Sequence, residues 1–143
     1  MAELVREIVI DAPPETIWPF LTEAEKHADW IGSPAELDPN PGGVYRASMG
    51  GGAHPAVGRF VEVVPMEKVV FTFGWAEKDH PIPPESTTIE ISLHPEGDKT
   101  RVRLVHAGLP ADAVDDHGRG WAHYLDRLAV VATGGDPGPD GAP

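Results

Sequence analysis

Seven histidines are the residues of this chain best suited to chemistry: His27, His54, His80, His94, His106, His117 and His123. Imidazole changes charge near neutral pH and also ligates metals. A helical zinc site needs two of them four residues apart. No pair has that spacing, and His117 and His123 stand six apart, so no metal site is expected. The chain has no cysteine, which removes thiolate zinc sites, iron–sulfur clusters, disulfides and cysteine nucleophiles. Ser33, Ser48, Ser86 and Ser92 lie in no G-x-S-x-G context. Gly50-Gly51-Gly52 has no Lys-Ser/Thr behind it, so it is not a phosphate-binding loop. No cofactor is expected.

The remaining chemistry is that of rings and a few polar tips. Trp30, Tyr45, Phe71, Phe73, Trp75, Trp121 and Tyr124 fall on stretches whose other apolar residues face inward. Large rings dominate any core, and they also line ligand cavities. The polar tips of Trp75, Trp121 and Tyr124 favour the cavity role, and Leu125 lies on the same helical stripe one turn after Trp121. His106 ends a strand on the face of Val102 and Leu104, where a histidine ordinarily bonds a nearby backbone group. His117, one turn before Trp121, is placed at a pocket rim. Arg59 shares parity with Val61 and Val63, which aims it inward toward a carboxylate partner or an anionic ligand. Its ordinary alternative is a strand-end side chain reaching water.

These residues need elements to hold them. Residues 3–10 read as a strand. Pro14–Thr22 reads as a short helix, with proline at a favourable first position. Thr22 is placed to cap a second helix ending near Trp30, with Glu25 as its capping-box partner. Residues 33–43 read as a loop. Strands follow at 43–49, 57–64, 68–75, 86–94 and 101–106, with Val69, Phe71, Phe73 and Trp75 alternating onto one face. Residues 79–85 form a proline-rich loop. From Leu109 the period becomes helical, with Val114, Trp121, Leu125, Leu128 and Ala132 on one stripe. Gly118 and Gly120 weaken that helix and mark places of close approach. The Gly/Pro-rich segment 134–143 has too little apolar surface to offset its ordering entropy and reads as a disordered tail.

The chain of 143 residues fits one domain. Its 11 basic and 23 acidic residues give a formal charge of −12, which disfavours nucleic acid and anionic membrane surfaces. No apolar run is long enough to span a bilayer, and the start lacks the features of a signal peptide. A cytoplasmic location is expected.

The order of strand, two short helices, antiparallel meander and long C-terminal helix predicts an α+β fold. In it a curved antiparallel sheet wraps around the last helix. The opening IVIDAPPETIWPFLTEAEKHADWIG resembles that of START-like (SRPBCC) proteins. The closing TRVRLVHAGLP…HGRGWAHYLDRL resembles the signature of the heat-shock-protein-90 ATPase activator-like family, carried by His106, Gly108, Leu109, Gly120, Trp121, Tyr124, Leu125 and Leu128. The resemblance spans roughly 3–133 and implies a helix-grip domain with a cavity for an apolar small molecule. The Gly-rich stretch 49–54 and the loop 77–86 depart from the family pattern and lie where a cavity mouth would be. Three readings stay open. The first is a binder of an apolar ligand, lipid-, polyketide- or aromatic-like. The second is a cyclase or dehydratase using pocket histidines as acid–base groups. The third is a chaperone-associated interaction module. The oligomeric state is also open, a homodimer included.

Overall fold

The structure, a computed structural model, describes residues 2–140. It begins with β1 (Ala2–Ile10), α1 (Pro14–Thr22) and α2 (Ala24–Ile31). The strands β2 (Ala35–Leu37), β3 (Val44–Met49), β4 (His54–Val64), β5 (Lys68–Phe73), β6 (Thr87–Glu96) and β7 (Lys99–Leu109) follow. A single 3-10 turn (Ala111–Ala113) leads into α3 (Val114–Ala132). The strands form one sheet in the order β1-β7-β6-β5-β4-β3-β2, and every pairing is antiparallel. The expected helix-grip architecture is therefore present, with α3 packed on the sheet.

The register explains which face is dry. Leu4 lies opposite His106, His106 opposite Ile89, Ile89 opposite Phe71, and Phe71 opposite Phe60. All five are buried, so one row of inward side chains crosses five strands. Cross-strand neighbours of this kind are the unit of sheet stability. The stripe of α3 covers that face with Trp121, Leu125, Leu128 and Ala132. Below them α1 and α2 close the core with Ile17, Trp18, Phe20, Leu21, Trp30 and Ile31.

Several local expectations are corrected. Thr22 does not cap α2: its hydroxyl donates to the Trp18 carbonyl at 3.2 Å, and the extended residue Glu23 separates the two helices. The stretch 35–37 is a short strand, because β3 offers it a paired edge that three residues alone cannot announce. β5 ends at Phe73, two residues before Trp75. A Cβ at Gly74 would overlap the Pro83 carbonyl, so the 77–86 loop crosses directly over that glycine. Trp75 keeps only an isolated bridge to Ala56.

Arg59 is not inward. The pairing of β4 with β5 is shifted between Phe60 and Glu62, and such an extra residue reverses which side chains face the core. Before the shift the even residues Ala56, Gly58 and Phe60 are buried, whereas Val61 is 52% exposed. Val63 then packs on the core. Arg59 thus lies on the outer face, its side chain 63% exposed and paired with Glu85 at 3.2 Å.

In the C-terminal segment, residues 134–140 have hydrogen-bond partners. The buried Arg127 guanidinium donates to the Trp30 carbonyl at 2.8 Å and to the Pro137 and Pro139 carbonyls at 3.4 and 3.1 Å. Asp140 is held by hydrogen bonds described below. Gly and Pro bring little apolar surface, but their carbonyls satisfy a buried cation. Residues 141–143 of the expected tail lie outside the described residues.

Candidate functional site

Between the sheet and α3 lies a cavity of about 440 Å³. Phe73 from β5 and Trp75 just beyond it form one wall, and Trp121 and Tyr124 of α3 form the other. Met49 and His54 flank the turn joining β3 to β4 and Gly50 lies in it, and Glu77 and His80 come from the loop between β5 and β6. Asp116, His117 and Gly120 complete the lining from α3. The two stretches that depart from the family pattern therefore both contribute to the cavity.

Five of the expected site residues meet here: Phe73, Trp75, His117, Trp121 and Tyr124. The others are placed elsewhere. Trp30 is fully buried and donates from Nε1 to the Phe20 carbonyl at 2.8 Å. Tyr45 stacks on Phe71 at 4.1 Å between ring centroids and donates to His27 Nε2 at 2.8 Å. Leu125 is core, Arg59 is on the outer face, and His106 stands one layer behind the wall. Met49, Gly50, His54, Glu77 and His80 belong to the two stretches expected at the cavity mouth but were not singled out as site residues, and Asp116 and Gly120 were not expected there. For His54 the available signal was its place after three glycines. For Gly120 it was a glycine inside an otherwise helical pattern.

Two histidines are tied to the two wall indoles. His106 Nδ1 accepts from Trp121 Nε1 at 3.0 Å. Its Nε2–H donates to the Thr87 hydroxyl at 2.8 Å, which donates onward to the Phe73 carbonyl at 2.6 Å. His117 Nδ1–H donates to the Ala113 carbonyl at 2.9 Å, leaving Nε2 to accept from Trp75 Nε1 at 3.2 Å. An indole N–H can be bonded only by an unprotonated nitrogen, so both rings are neutral. Burial first, and the neighbouring His117 second, push His106 down to about 3. Burial also lowers His117. The inner walls thus carry rings and neutral dipoles. At the mouth the His54 Nδ1–H donates to Glu77 Oε1 at 2.8 Å, and His80 Nδ1 accepts from the Ile82 backbone at 2.9 Å. No group of three or more His, Asp and Glu among the described residues is gathered as a metal site would require.

The two α3 glycines do different work. A Cβ at Gly118 would overlap the Arg6 guanidinium, the close approach expected from sequence. At Gly120 nothing lies within 4 Å of such a Cβ, because the position opens onto the cavity. Gly120→Ala is therefore expected to stabilise the protein by about 0.5–1 kcal/mol through helix propensity alone. A raised urea midpoint at unchanged slope checks this.

A curved antiparallel sheet gripping one long helix around such a cavity defines the helix-grip class. The family described as Activator of Hsp90 ATPase homolog 1-like protein matches residues 11–133, and the chain belongs to that family. An AHSA1-like protein from Rhizobium etli is 41% identical, with 98% of this chain and 87% of that one covered and a TM-score of 0.74. The Aha1 dimer from Colwellia psychrerythraea is 21% identical, covering 94% and 98%, at a TM-score of 0.79. An HSP90 activator from Plasmodium falciparum is 20% identical, covering 93% and 97%, at 0.76. The last two likenesses are of fold. No curated protein sequence matches the chain. No helix among the described residues is long and apolar enough to cross a membrane.

Proposed function

We propose that the protein binds an apolar, ring-bearing small molecule between its sheet and α3. The observation that carries this reading is the cavity itself: about 440 Å³, walled by Phe73, Trp75 and Trp121 and left open at Gly120. Its size falls in the usual range of small-molecule sites, roughly 300–1,000 Å³. The neutral state of His106 and His117 supports an uncharged ring system at the wall, since a charged imidazolium there would hold water.

Burial rather than charge supplies the binding energy in such a site, so affinity is expected to depend weakly on salt. Gly120→Leu projects a side chain into the open space without disturbing the helix. A naphthalene probe titrated against tryptophan fluorescence is expected to bind the wild type and to lose at least tenfold in affinity to Gly120→Leu. Equal affinity in the two proteins overturns the reading. Retention of a probe-blind protein by Hsp90 would instead favour an activator-like module, which the family's description and that of one structural relative suggest.

A second reading, acid–base catalysis on the bound molecule, is favoured by one observation. Glu77 fixes the tautomer of His54 at the mouth by a 2.8 Å bond, the geometry of an oriented general base.

A further inference from the structure

The carboxylate of Asp140 is completely buried although it belongs to the Gly/Pro-rich C-terminal segment. Three donors converge on it. Tyr124 donates its hydroxyl proton to Oδ2 at 2.7 Å. The Gly51 amide donates to the same oxygen at 3.2 Å. His123 Nε2 donates to Oδ1 at 2.9 Å. The Gly50 amide in turn donates to the Tyr124 oxygen at 3.0 Å, which orients the phenol. Arg127, one turn further along α3, is close enough to act on Tyr124 electrostatically, and it holds the two proline carbonyls that deliver Asp140.

This is a built carboxylate site: two side-chain donors, one backbone amide from a left-handed glycine turn, and a buried cation nearby. Tyr124 and Gly50 are at the same time lining of the cavity. The site therefore borders the space proposed for a ligand. Its occupant is carried by a short segment, which Arg127 and these same donors help to hold.

We infer that the Tyr124–Gly51–His123 cluster is a carboxylate subsite of the cavity, occupied in cis by Asp140 and available to the carboxylate of an apolar ligand when that residue withdraws. The inference rests on the proposed cavity ligand and gives it a chemical class, an apolar monocarboxylate. Exchange of one carboxylate for another leaves the charge at the subsite unchanged. The acidic Asp116 does not oppose it closely: it lies eight residues before Tyr124 on α3, about 12 Å along the axis at 1.5 Å per residue.

The experiment compares 1-naphthaleneacetate with its uncharged amide, using the full chain and its Asp140→Ala variant. With Asp140 in place the two probes are expected to bind alike. In Asp140→Ala the carboxylate is expected to gain about tenfold while the amide is unmoved. Tyr124→Phe added to Asp140→Ala is expected to erase that gain. An equal gain for both probes, no gain for the carboxylate, or a gain that survives Tyr124→Phe overturns the subsite. Acetate alone, followed at the Gly51 amide by NMR, tests the subsite without the cavity. A saturable shift in Asp140→Ala that is absent from the wild type is expected, and its absence overturns the subsite whatever the naphthalene probes do. Failure of both naphthalene probes together with a saturable acetate shift would sink the apolar-cavity reading instead. Asp140→Ser, whose shorter side chain also leaves the place of the carboxylate oxygens empty, stands in should the alanine variant not fold, and the same outcomes decide.

Discussion

Replacing Trp121 by alanine is expected to cost about 3 kcal/mol, the lower part of the range for removing a buried aromatic side chain. Trp121 is 4% exposed and lies at the seam between α3 and the sheet. Its ring meets Phe73 at 6.0 Å and Tyr124 at 6.3 Å between centroids. The loss falls low in the range because the vacated space opens into a cavity that water already reaches. It is still a large fraction of the roughly 5–15 kcal/mol that holds a typical domain together. Trp121→Phe separates packing from hydrogen bonding. It keeps most of the ring contact but leaves His106 Nδ1 buried without a donor, at about 1–3 kcal/mol. Urea denaturation of both variants checks the pair. An unchanged midpoint in Trp121→Ala would mean that the helix does not seat this ring on the sheet.

Acidification is expected to destabilise the protein steeply below about pH 6.5. Burial lowers His27 to about 4, and burial followed by His117 lowers His106 to about 3. Unfolded histidine titrates near 6.5. Above that value both states are neutral and the two residues add no pH dependence to stability. Below it the unfolded chain takes up protons that the folded chain refuses, so stability falls by about 1.4 kcal/mol per pH unit for each histidine. The fall continues until the folded values are reached. At pH 4.5 the two residues together have removed on the order of 5 kcal/mol. His117, lowered in the same direction, adds to the slope. Urea midpoints between pH 7 and 5 isolate this effect, since ordinary carboxylates stay ionised there. A flat profile over that interval would place these imidazoles in water.

The course of the chain was legible wherever periodicity was long. The alternation of β5 to β7 and the helical stripe of α3 fixed the layers, and the ends of α1 followed from Pro14 and Thr22. Parity failed at Arg59, because one shifted residue in β4 exchanges inside for outside and leaves no trace in a run of alternating valines. The site was half legible. Its rings announced themselves through the stripes they share. His54 stands at the very start of β4 and Glu77 and His80 in a loop, where no period operates, and only the pairing of β3 with β4 and the crossing over Gly74 bring them to α3. The contacts of residues 134–140 were invisible for another reason. They are made with a buried guanidinium and a cluster of donors around a carboxylate, whereas composition speaks only of apolar burial.

Six of the seven strands lie beside the strand that follows or precedes them in sequence, but β1 does not. It pairs with β7, from Ala2 opposite Leu109 to Ile10 opposite Thr100. During synthesis the first strand therefore leaves the ribosome about 100 residues ahead of its partner. The β2–β7 meander can assemble step by step through local connections, the longest being residues 74–86, each costing far less closure entropy than the span from β1 to β7. Docking of β1 closes the longest loop of the sheet and waits for the last hairpin. α3 then packs against β1. Until that moment the apolar faces of α1 and α2 have no complete sheet to cover them. β1, β7 and α3 thus complete the fold together, and the interval before they meet is when the nascent chain is most open to aggregation.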